Sequence, residues 1–390
     1  MASGKHAKTE RIFHAAAEYP SRAVISRSAF EHNLQKVREW AGGAEIMAVV
    51  KADAYGHGAV PISRWAIEAG VRWLVIAQLG EAISVRRQLG VNDTDVHILS
   101  LISAPESSYC DALELGIDFT VNSLNMLDCI AHQSAQSGMP ARVQLEVDTG
   151  MARGGVSLSE LPSMAQTLAD YVEAGLIELT GVWSHLACAD DLDSPLTSQQ
   201  VASFQQAQTV LAEHGLKPPL VHLAASGGLL WHPQTHYTAV RPGIVLYGIS
   251  PEPAVASARA LGLQPVMRVE ANIVSVRDVP QGTGVSYGHT AHTFAPTRLA
   301  TVPLGYADGI PRSASNHAYV RIGERQCPQI GRVCMDQFIM EAPGARVGDT
   351  AVLFGGEGAP SADDWAQAAG TIGYEIVSRI GQRVPRYYVE

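Results

Sequence analysis

Glu45-Ile46-Met47-Ala48-Val49-Val50-Lys51-Ala52-Asp53-Ala54-Tyr55-Gly56-His57-Gly58 joins an apolar, β-branched run to a glycine-rich turn and leaves a lysine at the junction. Helical spacing takes over in Ala59–Gly70 and ends in glycine, a helix-terminating signal. The same strand–turn–helix unit recurs down the chain. Seven further runs read as strands: Trp73–Gln78, Val96–Leu101, Asp118–Ser123, Arg142–Asp148, Leu179–His185, Leu220–Ser226 and Ala239–Tyr247, separated by helical stretches such as Gly80–Gly90 and Ser198–Gly215. Eight such units in about 200 residues match an α/β (β/α)8 TIM-type barrel better than an open doubly wound sheet.

A barrel carries its chemistry at the C-terminal ends of its strands. Lys51, His185 and Ser226 end strands, Arg153 lies just past the fifth, and Arg241 and Gly243 interrupt the eighth. Taken alone, Lys51 reads as a strand-end lysine that snorkels to water. Among those neighbours it reads as a desolvated amine, whose lowered pKa is the condition for attacking a carbonyl and forming a Schiff base.

With 390 residues the chain exceeds one core of ordinary size, so two domains are expected. A tail over 1–20, a barrel domain over 21–255 and a C-terminal domain over 256–390 fit the pattern. Ser250–Gln264 is rich in Pro and Ala and suits a boundary. Beyond it, Met267–Asp278 alternates polar and apolar residues and Gly-rich turns follow, which reads as a mostly antiparallel β domain. One late helix, Ser361–Ala369, opens with a capping-box variant (Ser361, Asp364) and is followed by Gly370. A net charge of −10 with no clustered Lys or Arg argues against nucleic acid or an anionic membrane as partner. The five cysteines, Cys110, Cys129, Cys188, Cys327 and Cys334, are scattered without a Cys-x-x-Cys, and no apolar run of about 18 residues occurs, so a cytoplasmic protein is expected. No residue set reads as a metal site: His185, Cys188, Asp190, Asp191 and Asp193 fit an acidic surface loop better, and Pro233 spoils a helix face for His232 and His236.

Five further strings accompany the lysine turn: Arg241-Pro242-Gly243-Ile244, Val285-Ser286-Tyr287-Gly288, Gly305-Tyr306-Ala307-Asp308-Gly309, Gly331-Arg332-Val333-Cys334-Met335-Asp336-Gln337 and Arg383-Val384-Pro385-Arg386. Together they resemble the alanine racemase family over nearly the whole chain. The resemblance implies a homodimer with shared active sites, pyridoxal 5'-phosphate (PLP) held as a Schiff base on Lys51, an amino-acid substrate, and production of D-alanine for peptidoglycan. Lys51 and Tyr287 of the partner subunit would be the two bases, as inversion through a planar carbanion needs one group on each face. Arg241 would face the pyridine nitrogen and keep it unprotonated, which weakens the electron sink and favours reprotonation over decarboxylation. Tyr55, Ser226, Tyr374 and the amides of Gly243 and Ile244 would hold the phosphate, His185 would lie against the ring, and His222 beside the arginine. Arg153 would meet the phenolic oxygen and the substrate carboxylate, Met335 and Asp336 would reach in from the partner subunit, and Tyr306 would stand at the entrance. Away from these strings, Tyr287 alone would read as a hairpin tyrosine and each histidine as a satisfied core residue.

Two positions depart from the common family pattern. Glu146 stands where many relatives carry a lysine, often carbamylated, and it is expected to supply the negative charge that orients Arg153. Ala225 stands where relatives usually have asparagine. Both leave open a broader or serine-preferring racemase. A barrel-type PLP decarboxylase is disfavoured because Arg241 stands where an acidic residue would be expected.

Overall fold

The protein is described by a computed structural model covering residues 19–90, 95–105 and 107–390. The expected N-terminal tail lies, up to residue 18, outside the described residues. The first strand among the described residues is β1 (Ser21–Ser26). Then β2 (Glu45–Val49), β3 (Trp73–Gln78), β4 (His97–Ile102), β5 (Ile117–Val121), β6 (Ala141–Glu146), β7 (Ile177–Trp183), β8 (Leu220–His222) and β9 (Ala239–Val240) close into a barrel, all neighbours parallel, with β9 returning to β2 at Glu45↔Ala239. These strands are apolar along most of their length because helices cover them outside and side chains fill them inside. The exceptions are informative: β6 brings Gln144 and Glu146 into the interior, both buried.

The second layer is built from β10 (Met267–Asn272), β11 (Ser275–Val279), β12 (Gly284–Val285), β13 (Ala291–His292), β14 (Thr297–Val302), β15 (Tyr319–Ile322), β16 (Arg325–Pro328), β17 (Phe338–Glu341), β18 (Thr350–Phe354) and β19 (Arg386–Val389). They form a six-stranded sheet in the order β16-β15-β18-β10-β1-β19, a three-stranded sheet β11-β14-β17 and a hairpin β12-β13. All pairs are antiparallel except β1 with β19. The late helix spans Ala362–Ala369; Ser361 and Asp364 exchange their capping bonds and Gly370 closes it at φ +71°.

Four details differ from the sequence reading. Ser21–Ser26, expected within the barrel domain, lies in the C-terminal sheet: its burial alternates residue by residue, and Arg22 faces and pairs with Glu270 of β10 at 2.6 Å. The run Met267–Asp278 splits between two sheets at Ile273–Val274. The eighth barrel strand stops at Val240, because Pro242 offers no N–H to a ladder and Ile244–Tyr247 coils into a 3₁₀ turn. The seventh is likewise short, so Ser226 opens the helix Ser226–Trp231 instead of ending a strand.

Candidate active site

Lys51 leaves β2 two residues past its end and enters a turn of unusual hand. Ala52, Asp53, Ala54 and Tyr55 all have φ near +53°, a left-handed turn that costs L-residues roughly 1–2 kcal/mol each. The surroundings impose it. The His57 ring N–H at Nδ1 donates to the carbonyls of Ala54 and Tyr55, both at 3.0 Å. The Asp53 amide donates to Glu81 Oε1 at 3.0 Å, and the Asp53 carboxylate accepts from the Ala59 amide at 2.7 Å. From the C-terminal strand, Arg386 donates to the Gly56 carbonyl through Nε (3.0 Å) and Nη2 (2.9 Å). Gly56 itself has φ +80°, and a Cβ there would lie 2.4 Å from the Val377 carbonyl oxygen.

The turn delivers the Lys51 amine into a cavity at the barrel mouth, which Arg153, His185, Arg241 and Tyr374 also line. Burial first, and then the charges of Arg153 and Arg241, lower the lysine pKa. Arg241 is buried among neutral acceptors. Its Nη1 donates to His222 Nδ1 at 2.6 Å and to the His222 carbonyl at 3.0 Å; its Nη2 donates to the Ser184 carbonyl at 2.7 Å and to His185 Nδ1 at 3.2 Å. The guanidinium also lies 5.0 Å over the Trp183 ring. Burial pulls its pKa down to about 9, so it remains a cation at neutral pH. Burial, helped by Arg241, Arg153 and Lys51, drives His185 to about 3, and His222 is lowered by burial and Arg241. Both imidazoles are neutral.

The same cavity holds a cradle suited to an anion. The Gly243 amide meets Ser226 Oγ at 3.0 Å, and a Cβ on Gly243 would lie 2.4 Å from the Tyr55 hydroxyl, so only glycine lets backbone and phenol converge. Burial raises the pKa of Tyr55 and Tyr374, whose rings are 6.2 Å apart, and keeps both hydroxyls as donors. Ile244 and Ala225 complete the wall. Arg153 is exposed on the loop after β6, where Asp148 Oδ1 accepts the amides of Gly150, Met151 and Ala152 at 2.9 to 3.1 Å. Arg153 has no hydrogen bond or ion pair among the described residues. Glu146 is buried; burial raises its pKa, while the neighbouring Asn122 side chain, Arg153 and Arg241 pull it down. Its charge therefore reaches both arginines without a direct ion pair, where the sequence suggested action on Arg153 alone.

A second group of expected site residues gathers elsewhere. Tyr287 is 69 % exposed and lines a cleft of about 680 Å³ together with Met335 and Asp336, whereas Lys51 lines the barrel mouth. Ser286, held at φ +59° with its hydroxyl donating to the Arg332 carbonyl at 2.7 Å, presents the tyrosine outward. The loop carrying Met335 is stitched to Tyr306: the Tyr306 amide donates to the Cys334 carbonyl at 3.0 Å and the Ala307 amide to that of Met335 at 2.9 Å. Asp336 is fixed by Arg383 at 2.7 Å. The sequence reading passed over Trp183, Gln144, His57 and Arg386 as contributors. The inward-facing polar pair Gln144 and Glu146 within an apolar strand was the available signal for the second of these.

Fold and site define a two-domain barrel enzyme centred on a lysine amine flanked by two guanidinium groups. The chain matches the family described as alanine racemase, N-terminal domain, over residues 25–251 and its C-terminal domain over 266–388. It is 47% identical over 376 residues to alanine racemase of Beutenbergia cavernae, covering 95% of this chain and 98% of that one, and 44% identical to that of Streptomyces coelicolor, covering 95% and 96%. The solved alanine racemase of Streptomyces coelicolor A3(2) superposes with a TM-score of 0.93 at 43% identity, covering 95% of this chain and 98% of that one. The Bacillus anthracis alanine racemase with bound L-Ala-P gives 0.85 at 31%, covering 95% of each. The chain belongs to the alanine racemase family, and it is an isomerase.

Proposed function

We propose that this enzyme interconverts L- and D-alanine with PLP as cofactor, using Lys51 and Tyr287 of the partner subunit as its two bases. The observation that carries the reading is the division of the site: a depressed-pKa lysine between two arginines in one cavity, and an outward-held tyrosine on another. A homodimer that seats the tyrosine cleft on a neighbour's barrel mouth would bring the two together. The donor set fits the cofactor: neutral hydroxyls of Tyr55, Ser226 and Tyr374 and the amides of Gly243 and Ile244 suit a phosphate, and Arg241 suits an unprotonated ring nitrogen. When bound, PLP supplies an aldehyde for the lysine and a ring that draws electrons from the substrate Cα.

The protein's own residues do the rest. The Lys51 amine holds or releases a proton at one face of Cα, and the Tyr287 hydroxyl does so at the other. Arg241 would face the ring nitrogen of bound PLP as a donor that does not protonate it, which would limit electron withdrawal and favour return of a proton over loss of carbon dioxide. Arg153, without a hydrogen-bond or ion-pair partner among the described residues, is available to the substrate carboxylate, where Met335 and Asp336 of the partner subunit would add a backbone donor, with Tyr306 at the entrance. His185 would lie against the cofactor ring, His222 supports Arg241, and Glu146 balances both arginines. The enzyme would work in the cytoplasm and supply D-alanine to peptidoglycan synthesis. Ala225 favours a second reading, a broader or serine-preferring racemase, because an alanine in the cavity wall offers no polar contact.

The test is to incubate PLP-loaded enzyme with single L-amino acids and follow D-enantiomers by chiral chromatography and carbon dioxide by gas analysis. Alanine should racemise fastest; faster D-serine would establish the second reading, and release of carbon dioxide would overturn both. Tyr287→Phe should lower racemisation by at least about 10²-fold while leaving PLP bound, since it removes one acid–base group and no cofactor contact.

A further inference from the structure

Behind Arg241 lies a buried chain of polar groups. The guanidinium can only donate, so His222 Nδ1, 2.6 Å from Arg241 Nη1, must be the acceptor. A neutral ring with a bare Nδ1 carries its proton on Nε2, and Nε2 lies 2.7 Å from Gln144 Oε1. The amide therefore has to present its oxygen, and its own Nε2 has no hydrogen-bond partner among the described residues. Space has been made for it: Gly181 faces Gln144 across the β6–β7 ladder, and a Cβ on that glycine would come within 2.8 Å of the amide carbon and 2.9 Å of the oxygen. Trp183 lies parallel to the imidazole, 8° between planes and 6.3 Å between centres, and also underlies the guanidinium.

We infer that Gln144 is a positioning residue, which fixes the tautomer of His222 and through it seats the Arg241 guanidinium at the barrel mouth. Each hydrogen bond in the row polarises the next, so an oxygen on Nε2–H makes Nδ1 a better acceptor for the arginine. A neutral amide does this without adding charge, which leaves the full cation of Arg241 directed at the mouth. A carboxylate at this position would draw the ring toward an imidazolium and partly cancel the arginine. The inference rests on the proposed reading only for its effect on turnover; the tautomer itself does not depend on which reaction is catalysed.

The test compares wild type, Gln144→Leu, which keeps bulk and loses the acceptor, and Gln144→Glu, which restores an oxygen at the same reach. Histidine-labelled protein, without substrate, reports the His222 tautomer by ¹⁵N chemical shifts, with His222→Asn to assign the signal. Wild type should show a single tautomer protonated on Nε2. The Leu variant, with native circular dichroism, should lose that single state, and the Glu variant should put the proton back on Nε2 while shifting the ring toward the imidazolium. With PLP loaded, the Leu variant should lose about tenfold or more in kcat with KM for alanine little changed, the scale seen when outer-shell partners of a positioned group are removed. A proton on Nδ1 in wild type, or a Leu variant that keeps the same single tautomer, overturns the inference. Should Leu fail to fold, Gly181→Ala crowds the same amide and must disturb the same signal. If wild type racemises nothing, the proposed function fails while the tautomer measurement still decides this inference.

Discussion

Lys51, Arg153 and Arg241 put three cationic groups at one mouth, and their combined field together with burial decides which neighbours can hold a proton. The lysine is the beneficiary: a lowered pKa leaves more free amine at neutral pH. The buried imidazoles carry the cost on acidification. Burial holds His185 to about 3, and burial, opposed in part by two backbone carbonyls, holds His57 to about 4. In the unfolded chain both titrate near 6.5, so between that pH and about 4 the unfolded state binds more protons and stability rises with pH. His57 alone accounts for roughly 3 kcal/mol lost on going from neutral pH to about 4. Asp363, raised by burial to about 6, works in the opposite direction between about 4 and 6 and is common to wild type and variant. Urea denaturation of His57→Asn should therefore show a shallower fall in stability from pH 7 to pH 4 than wild type; parallel curves would mean that the ring is protonated in the folded state. Asn keeps an N–H close to the place of Nδ1, so the bonds to Ala54 and Tyr55 survive the substitution.

The turn after Lys51 shows where element-level reading stops. The barrel strands were legible because their apolar runs are bounded by glycine-ended helices, and the late helix was legible from its capping residues. The Ala-Asp-Ala-Tyr segment was not, since positive φ is normally signalled by glycine or asparagine and burial periodicity carries no information about hand. Nor could the sequence say that the turn is held from another domain. Arg386 bridges the Gly56 carbonyl and those of Gly381 and Val384, and Val377 closes over Gly56. Arg386→Ala should cost about 3 kcal/mol, because buried carbonyls lose a charged donor. Gly56→Ala should cost a similar amount, about 3 kcal/mol, from overpacking combined with a positive φ. Both should speed amide exchange selectively over residues 52–58, measured by hydrogen–deuterium exchange. Uniform destabilisation without local opening would show that the turn is stable independently of the C-terminal strand.

At the scale of the whole molecule, the described residues open in the C-terminal sheet at β1, build the barrel, and return to flank β1 with β10 and β19. The two domains are thus tied at both ends, which fixes the Tyr287 face relative to the barrel of its own chain. That own-chain geometry assigns Lys51 and Tyr287 to different cavities. Only the family resemblance, and no periodicity or composition, pointed to a second subunit, because an interface between copies leaves no mark on strand or helix spacing. A complementation experiment reads the arrangement directly. Lys51→Ala and Tyr287→Phe are each expected to be inactive alone. In a mixed dimer one site combines both defects, and the other combines an intact Lys51 with an intact Tyr287 from across the interface. Co-refolding equal amounts should give heterodimers in about half of the population, each with one working site, and hence about a quarter of wild-type racemisation. Sites complete within one chain would recover nothing at any mixing ratio, because every chain then carries a broken site.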